Sequence, residues 1–465
     1  MSRFPLVGVV RIAVAVLLCS SATLLPARPI AAQTASPAAE RTVSRAAASP
    51  ADDVSPTSPP DTTLRLSSLL QEASRANPSL RATRLRAAAR RTEPAQASAL
   101  PDPVVGSTVF AYPIITARGA QRTQWRAEQS IPFPGLRSLR GDVADLRAES
   151  AEADADALAQ TLALQIRRAY YTLYRVQEEQ RTIRRFQTDL RQFEEAALAQ
   201  YEVGEEGQPA VLKAQIERQR LDIRLETLAS QRASALQQLV RLTGERSLAD
   251  DSVTVAPPSP PSPPSPSSTE APLDRRPEAT ALRTDIQRAE TQIDVARKES
   301  WPDFTVGVQY VDIAQRDLTP TMTGRDALAL SIGIQVPLWR GKQKASVREA
   351  QLERRRARAD LDAFELEVRT RIADLQSAIQ RQNNQLELLD NRLLPKAETA
   401  LTTTLSAYRT GSTGFLDLLD AQRTLFELQL QRIAVYTRLL QTNAELERAA
   451  GRTSLPASDP PAPGR

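Results

Sequence analysis

Two carboxylates, Asp417 and Asp420, stand three residues apart just after a Gly411-x-x-Gly414 turn. A helix starting at that turn would present both on one face. Carboxylates so paired gather cations, but they also favour the positive end of a helix, and spacing alone leaves both readings open. Little else in the chain could do chemistry. Among 465 residues there is no histidine and one cysteine, Cys19. That excludes Ser-His-Asp and Cys-His machinery, imidazole metal ligation, an intrachain disulfide and a thiolate cluster. No glycine-rich phosphate loop or dinucleotide fingerprint occurs. Acids spaced for glycoside chemistry exist, but on long helices acids are usually surface charges. The residues point to no cofactor or metal site, and of the catalytic classes only a carboxylate-based enzyme survives this test.

The elements that position these residues begin after a leader. Arg3 and Arg11 precede an apolar run, Ile12 to Leu18, followed by small residues ending at Ala32. This is the pattern of a secretory signal peptide, residues 1–32, too short to span a bilayer. Leu18 stands where a small residue would precede a lipidated Cys19, which argues against lipidation. The whole chain carries 60 Lys+Arg against 55 Asp+Glu; loss of Arg3, Arg11 and Arg28 would leave a net charge of +2. Such a balance gives no reason to expect nucleic acid. The basic stretch 353–360 includes acids and reads as a solvated helix face.

Residues 33–62 form an Ala/Ser/Pro leader, 251–273 a Pro/Ser linker, and 452–465 a similar tail. The linker separates two repeats, 63–250 and 274–451. Tyr201-x-x-Gly204-x-x-Gly207 is matched by Tyr408-x-x-Gly411-x-x-Gly414, an offset of 207 that carries Ala214, Gln215 and Gly244 onto Ala421, Gln422 and Gly451. Upstream, Asn77-Pro78 answers Arg276-Pro277, and Ile131-Pro132-Phe133 answers Val336-Pro337-Leu338. One large unit occurs twice in tandem.

Each unit reads as helix, two strands, very long helix, turn, long helix. Leu361, Phe364, Val368, Ile372, Leu375 and Ile379 step by threes and fours, and Leu386, Leu389 and Leu393 continue the phase. Leu158, Leu162, Ile166, Ala169, Leu173 and Val176 do the same in the first unit. Such spacing is coiled-coil-like. A helix from about Leu139 to Val203 would be roughly 100 Å long.

Period-two alternation marks the strands, expected at about 103–112, 123–133, 303–313 and 327–339, with polar turns at 113–122 and 314–327. Leu328, Leu330, Ile332, Ile334 and Val336 alternate with Ala329, Ser331, Gly333 and Gln335. With Trp301, Tyr310 and Trp339 flanking, this is the pattern of a lipid-facing barrel strand; a soluble hairpin on helices is the alternative. Four strands cannot close a barrel, and an open sheet would leave backbone groups unpaired in lipid. Several chains must therefore share one.

The segments "LLQEASRANPSLRA" (69–82), "EQSIPFPGLRSLRGDVA" (128–144), "YEVGEEGQPAVLKAQ" (201–215) and "YRTGSTGFLDLLDAQRTL" (408–425) resemble the TolC-type outer membrane efflux proteins. The resemblance covers about 64–451. It implies a mainly α fold with membrane β: four strands per chain, a 12-stranded barrel as a homotrimer, and long helices forming a helical barrel through the periplasm. It implies a passive outer membrane conduit served by a periplasmic adaptor and an inner-membrane transporter. The "IPFPG" and "GEEGQPAVLKAQ" segments lean to the CzcC/CusC-like heavy-metal-efflux branch. A drug-efflux or type I secretion channel of the same fold is an alternative, and a periplasmic coiled-coil adaptor is one of a different class.

The resemblance places the periplasmic entrance at the helix–helix turns, with Gly204, Gly207, Gly411 and Gly414 at the adaptor-facing tip. Tyr408 matches a gating tyrosine, and Asp417 and Asp420 match pore-ring aspartates, which in a trimer would supply six carboxylates. Thr413 stands where the family places an arginine, and Ala210 replaces an acid in the first repeat, so the salt-bridged form of the gate is not expected.

Overall fold

The computed structural model describes residues 63–116, 119–202, 207–245, 253–259, 273–314 and 325–456. The signal peptide, the 33–62 leader, most of the linker, the end of the tail, Gly204 and residues 315–324 lie outside them. The first repeat runs β1 (Thr63–Leu64), α1 (Leu66–Ala76), α2 (Pro78–Arg90), α3 (Glu93–Ala97), β2 (Val104–Thr116), β3 (Gly119–Ile131), α4 (Leu136–Glu202) and α5 (Gln208–Thr243). β4 (Thr254–Val255) and a 3-10 turn (Leu273–Arg275) lead into the second. That repeat runs α6 (Pro277–Lys298), β5 (Asp303–Ala314), β6 (Ala327–Gln335), α7 (Arg340–Leu388), a π-turn (Leu389–Leu393), α8 (Leu394–Arg409) and α9 (Phe415–Ala449).

The helical phase read from the sequence is the buried phase. Leu162, Ile166, Leu173 and Val176 of α4 are buried, as are Val368, Ile372, Leu375 and Ile379 of α7. Each such aliphatic side chain contributes on the order of 2 kcal/mol by leaving water. The phase does not continue through Leu393, which is exposed while Leu389 is buried. Pro395 follows, and without an N–H it cannot sustain the α ladder. The chain widens into the π-turn, and the extra residue rotates Leu393 off the core stripe. Arg432 of α9 holds this turn by donating to both Asp390 carboxylate oxygens, at 2.6 and 3.4 Å.

The two repeats share structural nodes. Asn77 caps α2 by accepting from the Leu80 amide at 2.9 Å, and it donates to the Leu242 carbonyl at the end of α5 at 2.7 Å. In the second repeat Arg276 lies over the Phe364 ring, 4.8 Å from its centroid, and pairs with Glu278. Glu278 also takes Arg448 from the end of α9 at 2.5 Å. Burial works against the Glu278 charge. Its own backbone amide and the two arginines outweigh that and hold the carboxyl below the usual range. Gly244 and Gly451, 207 residues apart, both have positive φ, 82° and 66°. A Cβ on either would lie within 3 Å of backbone, of Ala76 and Arg275 respectively.

The four long strands form one antiparallel sheet in the order β2-β3-β5-β6, so the repeats join through β3 and β5. The first pair is longer than the alternation indicated. Ile114, Ile115 and Thr116 pair with Gln121, Ala120 and Gly119, so most of the expected 113–122 turn is strand. The ladder skips from Val109 to Ile114. That irregularity keeps Pro113, which has no N–H, out of the hydrogen bonding. β6 is shorter than expected, its last pair being Gln335 with Asp303. Val336 therefore lies beyond the strand, where Pro302 and Pro337 end the ladder.

Candidate functional site

Two surfaces carry the residues singled out above. At the helix tip, α8 ends in a tight turn. Gly411 has φ 69°, its amide donates to the Tyr408 carbonyl at 3.0 Å, and the Ser412 amide donates to Ala407 at 2.9 Å. A Cβ at Gly411 would meet nothing, so the requirement there is conformational. Gly414, extended at φ −83° and ψ 163°, starts α9. Phe415 and Leu418 are fully buried on the inner side of that first turn. Tyr408 is buried beside them, its ring meeting Phe415 edge-on at 6.1 Å.

Asp417 and Asp420 are exposed on the opposite side, as their spacing required. Asp417 accepts from the Thr413 hydroxyl at 2.7 Å, which fixes one carboxylate over the turn. The two aspartates thus share a face, and Tyr408 does not share it within the chain.

At the first tip the second helix also starts from an extended glycine, and the chemistry differs. Gly207 is extended and starts α5 with Pro209 in its first turn. Ala210, at the place of Asp417, is buried; Lys213, at the place of Asp420, is exposed. This charge reversal was legible by carrying the 207-residue offset to Lys213. Tyr201, the counterpart of Tyr408, is exposed, at 45% against 5%.

The second surface is the sheet. Leu328, Leu330, Ile332 and Ile334 project from one face of β6 and are 58–79% exposed. They pair with Tyr310, Val308, Val306 and Phe304, whose own partners on β3 are Trp125, Ala127, Gln129 and Ile131. The opposite face carries Arg126, Glu128, Gln309, Gly307 and Ser331, with Arg126 and Glu128 paired loosely at 3.5 Å. A Cβ at Gly307 would press on the Ser331 hydroxyl at 2.5 Å and Glu128 at 3.2 Å. Glycine there makes room for the polar layer. Among the described residues, both outer edges, on β2 and β6, lack a strand partner. An apolar face with a polar reverse and two open edges is the arrangement that one wall of a lipid-embedded barrel requires.

Residues 270–452 match the family model described as outer membrane efflux protein. That match takes in the second repeat, which carries the pattern of the outer membrane efflux proteins. The chain is similar to the cobalt-zinc-cadmium resistance protein CzcC of Cupriavidus metallidurans, 24% identical over 77% of this chain and 82% of that protein. It is also similar to the pyoverdine export outer membrane protein OpmQ of Pseudomonas putida, 27% identical over 38% of each. The solved outer-membrane channel OprN shares its fold, with a TM-score of 0.71 at 19% identity, over 84% of this chain and 91% of that one. This efflux protein is an outer membrane channel with a periplasmic helical domain, and not an enzyme. No helix among its described residues is long and apolar enough to cross a membrane.

Proposed function

We propose that this efflux protein works as a homotrimer, a passive duct that receives substrate from a periplasmic adaptor and an inner-membrane transporter and releases it outside. The observation that carries the trimer is the pair of open edges on β2 and β6. Three copies give twelve strands, in the range of closed outer-membrane barrels, whereas one chain has four. Native mass spectrometry of the detergent-solubilised protein should show three copies; a stable monomer or dimer competent in membranes would overturn the reading.

The adaptor would meet the tip turns at Gly204, Gly207, Gly411 and Gly414. Asp417 and Asp420 would line the mouth as six carboxylates and concentrate cations there, with Tyr408 part of the gate. The cargo proposed is heavy-metal cations, supported by the likeness to CzcC and by the carboxylate face. The absence of histidine and the lone Cys19 fit a duct that conducts such ions without chelating them. Deleting the gene in its host should sensitise cells to zinc, cobalt or cadmium. Unchanged metal tolerance with increased sensitivity to organic compounds would favour the drug-efflux reading. The likeness to a pyoverdine exporter keeps organic cargo as the second reading.

A further inference from the structure

The apolar stripe of β6 does not stop where the strand stops. β6 spans nine residues, roughly 30 Å along the strand and about 23 Å in depth at the usual tilt, which accounts for the hydrocarbon band. Val336, Leu338 and Trp339 come next, with Leu338 75% and Trp339 79% exposed. By depth they fall at the periplasmic boundary of the bilayer, where an aromatic belongs. Trp301 joins them from the end of α6, one face stacked on Phe133 at 5.1 Å and the side chain still more than half exposed.

Cations begin at once after Trp339. Arg340, Lys342, Lys344 and Arg348 occur within nine residues, with no acid before Glu349. All four are exposed, and none is in an ion pair among the described residues. Lys342 lines a cleft of about 420 Å³ together with Trp301, Leu338 and Trp339. Two carboxylates, Glu299 and Asp303, share that cleft and are already engaged. Glu299 takes Arg140 at 2.9 Å, and Asp303 takes the Phe133 amide at 2.9 Å. The corresponding start of α4 is different. There Arg137 donates to the Ser98 carbonyl at 2.8 Å and Arg140 pairs with Glu299, so both cations are satisfied within the chain. The boundary cations of the first repeat are satisfied within the chain, whereas those of the second stay open beside exposed tryptophans.

We propose that the cleft formed by Trp301, Leu338, Trp339 and Lys342 binds an anionic phospholipid of the periplasmic leaflet. Leu338 and the two indoles lie along its upper acyl chain, Lys342 meets its phosphate, and Arg340 and Lys344 add to the positive potential of the headgroup layer. The charge complementarity is direct, and the site continues the lipid-facing stripe without a break. The inference rests on the channel reading, since only a membrane-inserted sheet puts this cleft at headgroup depth.

The three tryptophans, Trp125, Trp301 and Trp339, make a selective test possible. The full chain is placed in phosphatidylethanolamine nanodiscs with a minor fraction of lipid brominated near the top of its chains. A Trp125→Phe variant reports on the cleft, and a Trp301→Phe/Trp339→Phe variant reports through Trp125 on insertion alone. In the first, brominated phosphatidylglycerol should quench at a fraction roughly fivefold lower than brominated phosphatidylethanolamine. Lys342→Gln should remove most of that preference, and Arg340→Gln/Lys342→Gln/Lys344→Gln should abolish it. Equal quenching by the two lipids overturns the proposal, as does a preference that survives the triple change. So does a triple variant that loses its trimer without any lipid preference having been present, which would assign the cations to a second copy. Absence of quenching at Trp125 by either lipid would instead overturn the membrane reading itself.

Discussion

The two helix tips restart from the same kind of extended glycine and differ in charge. Each closes on an extended glycine, Gly207 or Gly414, and each docks small or apolar side chains of its last helix inward. Beyond that point one tip offers Lys213 and the other Asp417 and Asp420. The same division holds at the opposite ends of those helices. Gly244 and Gly451 make the same close backbone approach, while the neighbouring lock is a neutral Asn77 in one repeat and the charged Arg276–Glu278–Arg448 group in the other. Backbone geometry is what duplication had to keep, because a clash there has no alternative solution. Charge was free to diverge, so function is sought where the repeats disagree.

The largest effect should come from the surface on which the repeats agree. Ala127 and Ile332 lie on the same sheet face, and arginine at either should block insertion or assembly, at about 2–4 kcal/mol near the bilayer midplane. Ser331→Arg, on the polar face, should yield more inserted protein than Ile332→Arg. Heat-resistant oligomer in outer-membrane fractions measures all three. If Ala127→Arg is tolerated and Ile332→Arg is not, the halves do not meet lipid alike.

Next come the shared glycines. Gly244→Ala and Gly451→Ala each force a left-handed residue against backbone and should cost about 1–3 kcal/mol. Thermal melts should fall by similar amounts. A loss confined to one repeat would break the equivalence of the nodes.

The locks themselves should differ in pH dependence. Glu278 has a lowered pKa, so its contribution is present above the unfolded carboxylate range and is lost as pH falls through the folded value. Glu278→Gln should therefore destabilise by about 1–3 kcal/mol at pH 7 and converge with the parent as pH falls through the lowered folded value. Asn77→Ala should cost about 1 kcal/mol at every pH in that range. Parallel melts from pH 3 to 8 separate the two; a pH-independent gap for Glu278→Gln would show that its charge is not what matters.

The smallest effect on stability should fall at the tip. Replacing Asp417 and Asp420 with Ala should cost about 0.3–1 kcal/mol each, leaving the oligomer intact. In planar bilayers the same double variant should lose cation preference and multivalent-cation block from the periplasmic side. Lys213→Ala should shift both slightly the other way. Unchanged cation preference and block in a correctly assembled double variant would return the aspartates to a helix-end role.

Much of this was readable in the residues. The three-four stepping of α4 and α7 reflects burial, the β6 alternation reflects two unlike sheet faces, and the 207-residue offset reflects duplication; sequence patterns record all three directly. What escaped was set by hydrogen bonding rather than by burial. The ladder past Pro113, the end of β6 before Val336 and the π-turn ahead of Pro395 all follow from a missing N–H, and an apolar periodicity does not register one. The place of Tyr408 escaped for another reason. Its burial depends on Phe415, which meets it across the turn, and its counterpart Tyr201 is exposed with the same local motif.

The β3–β5 ladder has a consequence for the order in which the molecule is made. It pairs Ile131 with Phe304, 173 positions along the chain, and no hairpin can bring them together. The helices need only near neighbours and can form within microseconds, whereas a pairing of such long range closes slowly. Until the second half has been exported, β3 has no partner on its β5 side and its lipid face remains in water. A chain interrupted between the end of α5 and residue 304 would therefore leave the periplasm with a helical hairpin attached to an unclosed, aggregation-prone β-ribbon. Quality control that samples exposed strands would have the whole of that interval in which to act.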